Sequence, residues 1–194
     1  MKKNNEFKNL VEQTKRREKI KKEKVDIKWI IIIVITTFVL SILLSFIANS
    51  TIPNLSLIIG IIITFTFIII GIIFDIIGVS VTSADEAVFH SMNSRKVKGA
   101  NVAVKFKKNA DKTSNFCCDV IGDICGVISG AAGTTICAIL VTKYNTDLLI
   151  TGLLTTAIIS SLTIGGKAIG KSFAINKSDI ILYEFAKFIS NFYH

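Results

Sequence analysis

Leu55-Ser-Leu-Ile-Ile-Gly-Ile-Ile-Ile-Thr-Phe-Thr-Phe-Ile-Ile-Ile-Gly-Ile-Ile-Phe-Asp-Ile-Ile-Gly-Val79 runs straight into Ser80-Val-Thr-Ser-Ala-Asp-Glu-Ala-Val-Phe-His90. The first stretch exceeds the roughly 20 residues that carry a helix across a bilayer, and its apolar residues form a block without helical or strand spacing. It reads as a membrane span. The second stretch is a polar knot where that span should finish, with two hydroxyls, Thr82 and Ser83, and two carboxylates, Asp85 and Glu86. A charged side chain at mid-membrane costs about 2.5–3.5 kcal/mol on insertion scales, so acidic residues kept at that depth point to function. A second such place is Asp119-Val-Ile-Gly-Asp123, inside the next apolar segment.

Working outward, the same pattern recurs. Spans are expected at about 29–48, 55–79, 116–141 and 148–164, with short turns at 49–54 and 143–147 between their outer ends. Hydrophobic residues make up 51% of the 194, and mean hydropathy is +0.58, well above that of a soluble domain. The expected fold is an all-α integral membrane protein of about four spans with juxtamembrane amphipathic helices. It divides into a basic tail (1–27), a transmembrane domain (28–174) and a C-terminal amphipathic helix (175–194).

The net charge of +9 would point to nucleic acid in a soluble protein, so its location decides. Of the 23 Lys and Arg residues, all but Lys143 fall in segments that four spans place on one side. Positive residues gather on the cytoplasmic side of spanning helices. The 22-to-1 split therefore predicts both termini in the cytoplasm of a cell, read as a bacterial inner membrane. Anionic lipid headgroups, rather than nucleic acid, are the expected partner of these flanks. Residues 1–27 read as a solvated, mixed-charge tail, too highly charged for a cleavable signal peptide. Val97, Val102, Val104 and Phe106 interrupt the basic residues of 95–108, as in a helix lying on the inner leaflet. Ser178 to Tyr193 reads as an amphipathic helix, with Ser178 as N-cap and Asp179 in its first turn.

Four motifs remain. Gly165-Gly-Lys-Ala-Ile-Gly-Lys-Ser172 satisfies the letters of a phosphate-binding loop. That loop needs a strand before it and a sheet around it, and here a span precedes it and 22 residues follow. No nucleotide is expected. Cys117, Cys118, Cys125 and Cys137 lack a second pair at zinc spacing and read as small helix residues. Gly122, Gly126, Gly130 and Gly133 read as a packing ridge on the third span, within the chain or between chains. Asp123, one residue off that ridge, is expected to face protein. His90 and His194 are the only histidines, and no nucleophile or metalloenzyme motif is present, so the chain does not read as an enzyme.

Several stretches together resemble the membrane domain of the CorC/CorB and cyclin M type magnesium transporters. Ser80-Val-Thr-Ser-Ala-Asp-Glu-Ala-Val-Phe is similar to that family's F-F-S-G-S-E-T-A-L-F. Arg95 to Ala103 is similar to the basic stretch after it, and Ile121-Gly-Asp123 to I-G-N. Gly166-Lys-Ala-Ile-Gly-Lys-Ser-Phe-Ala174 is similar to G-E-x-x-P-K-x-x-A. The ordered set covers roughly residues 55–190. The resemblance implies a homodimer that binds or transports a divalent cation, magnesium above all, with no permanently bound cofactor. It places Thr82, Ser83, Asp85 and Asp123 at the ion, with Lys167, Asp119 and Glu86 as modulators. This chain departs from the family in Asp123 for Asn, Lys167 for Glu and Gly170 for Pro, in an extra N-terminal span, and in lacking the CBS pair. Lys167 puts a cation beside a cation site, where it either pairs with Asp85 or Asp123 or snorkels to the headgroups. Pairing would make the chain a transport-inactive relative, acting as a structural or regulatory membrane subunit.

Overall fold

The computed structural model describes residues 27–51 and 56–192. Helix accounts for 92% of these residues and no strand occurs among them, so the fold is all-α. Four helical stretches are long and apolar enough to cross a membrane: Ile27–Ile47, Leu57–Ser83, Ala110–Tyr144 and Leu148–Asn176. Residues 1–26 of the expected basic tail and 52–54 of the expected outer turn lie outside the described residues, whereas 49–51 of that turn are helical.

The chain divides into two compact units at Ile35/Thr36, inside helix α1 (Ile27–Thr51). By itself α1 is apolar on every side, the composition of a helix surrounded by lipid. In the second unit, α2 (Leu57–Ser83) is the central element and packs against almost every helix that follows. After it come α3 (Glu86–Ser94), α4 (Ala100–Lys108) and α5 (Ala110–Asn115). A π-helical turn (Phe116–Gly122) then leads into α6 (Asp123–Tyr144). Helices α7 (Leu148–Asn176) and α8 (Ser178–Phe192) complete the unit.

The largest differences from the sequence expectation are at the third and fourth spans, although α2 also runs on from 79 to Ser83. The fourth span does not stop at 164: α7 runs unbroken to Asn176. Gly170 stands where a proline would end a helix, and Gly166 and Gly170 are used to seat α7 against Ile72 and Ile76 of α2. The phosphate-loop letters therefore lie in continuous helix. The third span begins earlier, at Ala110, and passes through the π-turn. A π-turn places i→i+5 bonds within an α-helix and marks a local change of phase.

The turn between α6 and α7 is held by Asp147, whose carboxylate accepts from the N–H groups of Leu149 and Ile150 at 2.7 and 3.3 Å. Asn145 before it takes a left-handed conformation, which asparagine tolerates better than most residues.

At the Ser83 end of the bundle a small second core forms from α2, α3, α4 and α8. Val81, Ala84, Phe89, Ala103, Val104, Leu182 and Ala186 are all buried in it. Burying Phe89 or Leu182 alone is worth about 1.5–3 kcal/mol. The two expected amphipathic helices, α4 and α8, thus pack on each other and on α2. Gly99, with φ +86°, starts α4 where its Cα faces the Lys187 backbone of α8, so a side chain is excluded twice over.

Candidate functional site

The polar knot ends α2 and starts α3. Thr82 and Ser83 are exposed, and the Thr82 hydroxyl donates to the Val79 carbonyl one turn back at 2.9 Å. Asp85 is the N-cap of α3, its carboxylate accepting from the Ala87 N–H at 3.0 Å. The Asp85 N–H in turn donates to the Asp179 carboxylate on α8 at 2.8 Å. Asp179, expected only to suit its own helix dipole, therefore also locks α8 to the knot. Glu86 faces out and accepts from His90 at 3.2 Å, an exposed i, i+4 pair.

Lys107 reaches the same place from α4. Its ammonium donates to the carbonyls of Val81 and Thr82 at 3.1 and 2.7 Å. The last carbonyls of a helix lack intrahelical partners and carry the negative end of its dipole, so a lysine there is stabilising. The sequence alone places this lysine at the lipid surface. Its pattern, a basic residue among apolar ones, is the same for both roles.

Asp123 sits at the first position of α6, directly after the π-turn. The Lys167 ammonium of α7 lies 3.1 Å from its Oδ1. Of the two outcomes open to Lys167, pairing is the one observed, and the partner is Asp123 rather than Asp85. The Lys167 side chain is 20% exposed and that of Asp123 is 69% exposed. Asp123 thus faces outward from the chain, against the expectation that it would face protein. Asp119, on the π-turn, is exposed as well.

A second acid–base pair lies deeper. Asp75 of α2 is 3% exposed, and the Lys171 ammonium of α7 stands 3.7 Å from its Oδ2. Lys167 and Lys171 are one turn apart on α7, so both reach inward from one face. Asp75, near the inner end of the expected second span, is buried and does not reach out to the headgroups. Its opposite charge to Lys171 was a signal, but not one that spacing turns into a contact.

The proposed ion ligands are engaged separately: Thr82 with its own helix, Asp85 with the α3 cap, Asp123 with Lys167. Among the described residues no group of three or more His, Cys, Asp or Glu gathers closely enough to hold a metal ion. All four cysteines are free thiols, three of them buried.

The glycine ridge is divided. A side chain at Gly133 would collide with Ile159 of α7, and one at Gly122 would meet the Gly71 carbonyl at 3.6 Å. At Gly126 and Gly130 it would meet nothing within 4 Å. Helical geometry explains the division: each four-residue step overshoots a turn by about 40°, whereas Gly122 and Gly133 are about three full turns apart. Close approaches are also made off this ridge. Gly78 of α2 meets Cys118, Ser114 and Cys117, and Gly71 meets Cys125.

No protein-family model matches the chain, and no curated protein or solved structure is similar to it.

Proposed function

We propose that this chain is a multi-pass membrane protein of the magnesium-transporter type whose intramembrane carboxylates are neutralised by its own lysines. In this reading it does not conduct ions and acts as a structural or regulatory membrane subunit. The observation that supports it is the Lys167 ammonium, 3.1 Å from Asp123 Oδ1, where the resembling family would bring a cation. Lys171 at Asp75 and Lys107 at the α2 carbonyls repeat the arrangement, each an ammonium set on oxygens at the Ser83 end.

Divalent cation binding, most of all of magnesium, is the second reading. It is favoured by the exposure of Thr82, Ser83, Asp85 and Asp123, which leaves carboxylate and hydroxyl oxygens open to a further ligand. Magnesium takes few protein carboxylates and completes its octahedron with water and carbonyls. The experiment is magnesium flux into liposomes holding the parent or Lys167→Glu. Flux by the variant alone supports the first reading, and flux by the parent supports the second.

A homodimer is part of the proposal. Acidic residues in a span face protein or a water-filled cavity. Asp119, Asp123, Gly126 and Gly130 leave one such exposed, small-residue face for a second copy. The proposed location is a cell membrane with both termini cytoplasmic and anionic headgroups at the basic flanks. Cysteine probes at Asn145 and Asn101 test it: only the first should react from outside.

A further inference from the structure

Asp75 is held more loosely by its lysine than Asp123 is, at 3.7 Å against 3.1 Å. Its carboxylate lies inside α2 with a side chain 4% exposed, and its Oδ2 has no hydrogen-bond partner. The Lys171 ammonium faces it at 3.7 Å, beyond the 2.7–2.9 Å of a charge-assisted hydrogen bond. Lys171 is itself 52% exposed, on a flexible stem that reaches the headgroup region as readily as the protein. A buried charge therefore has a counter-ion that is free to leave.

The walls around the pair are built close. Gly78, three residues on from Asp75, lets the π-turn approach so nearly that any side chain there would collide with Cys118. The Cys118 thiol donates to the Asp75 backbone carbonyl at 3.6 Å. The approach of the π-turn, whose phase differs from the helices it joins, is what closes this side of the site.

We propose that Asp75 and Lys171 form a proton-exchange switch. In one state they are the ion pair seen here. In the other, Asp75 Oδ2 has taken a proton from the adjoining aqueous phase and Lys171, keeping its own charge, has turned out to the headgroups. Both states leave the buried site neutral, which is why the exchange avoids stranding a charge in the span. A proton suits this carboxylate where a metal ion does not. Hard cations take six or more oxygens, and no ligand cluster forms among the described residues.

The charged and titratable groups that the neighbouring elements bring are few. The π-turn contributes Cys117, Cys118 and Asp119, α6 contributes Cys125, and α7 contributes Lys171. Asp123 of α6 is held by Lys167, and Lys107 of α4 by the Val81 and Thr82 carbonyls. Asp179 of α8 is held by the Asp85 N–H, and Asp111 and Lys112 of α5 are exposed.

The test is infrared difference spectroscopy of the full chain in lipid as pH is lowered, following the C=O band of a protonated carboxyl. The parent should show a band that Asp75→Asn lacks, and Lys171→Gln should show it at higher pH than the parent. No Asp75-dependent band over the range in which the protein stays folded would overturn the switch. So would a Lys171→Gln band that titrates as in the parent. If Asp75→Asn fails to fold, the parent and Lys171→Gln still decide, because the two carry the same carboxyl groups and differ only at residue 171.

Discussion

At the Ser83 end of the bundle, α2 meets the π-turn and α7 glycine against side chain, at Gly78, Gly166 and Gly170. At the Leu57 end α2, α6 and α7 surround an apolar cavity of about 220 Å³, lined by Ile61, Phe65, Ile68, Leu140, Ile158 and Leu162 among others. The difference follows from the solvent. Lipid tails are as apolar as leucine, so large apolar side chains gain little by meeting each other in a membrane. Close packing comes instead from small residues and polar contacts. Both ion pairs, the Lys107 contact and the second core lie toward the Ser83 end.

The contrast is broken most severely by Gly78→Ile. The new side chain would meet Cys118, Cys117 and the Ser114 carbonyl together, and the backbone oxygen is not free to give. Overpacking of this kind costs about 1–3 kcal/mol, occasionally more. We expect the upper end, seen as loss of the folded fraction in detergent. A variant as thermally stable as the parent would mean that the tight end is not tight.

Asp123→Asn comes next. It leaves the Lys167 ammonium, 20% exposed, without its carboxylate. The loss from a fully buried pair would be about 3–5 kcal/mol. Because Asp123 is 69% exposed, the expected loss is nearer that of a surface pair, about 1 kcal/mol. Thermal unfolding of the two proteins side by side measures it.

Gly126→Leu sharpens the comparison differently. Nothing lies within 4 Å of a side chain added there, so stability of the single chain should hardly change. If a second copy occupies that face, cross-linking of dimers in membranes should fall while abundance stays constant. The smallest effect belongs to the loose end. Leu140→Phe adds a ring toward a cavity that already has room, and a change under about 0.5 kcal/mol in either direction is expected.

Much of this architecture was legible in the chain. The spans are readable because apolar blocks such as Ile30 to Val34 or Ile58 to Ile63 recur in helices long enough to cross a membrane. The ends of the third and fourth spans were not. Glycine reads as a breaker, yet at Gly166 and Gly170 it serves close packing, which only the neighbouring helix reveals. The ridge of the third span misled for a related reason: spacing in sequence says which glycines share a face, not which neighbour that face meets. Of the candidate site, the pairing of Lys167 was foreseen as one of two outcomes, because a buried ammonium must find oxygens somewhere. Asp75 with Lys171, Lys107 at the Thr82 carbonyl and Asp179 at the Asp85 N–H were not, since each joins elements far apart in the chain.

The proposal that lysine holds the place of a cation at Asp123 meets its most direct test in magnesium-dependent thermal stability of the parent and Lys167→Glu, with calcium and sodium as controls. The parent should unfold at the same temperature with or without magnesium. The Lys167→Glu variant should be stabilised by magnesium, because an ion that binds only the folded state raises its stability by mass action. A parent stabilised by magnesium to the same extent as the variant would contradict the proposal.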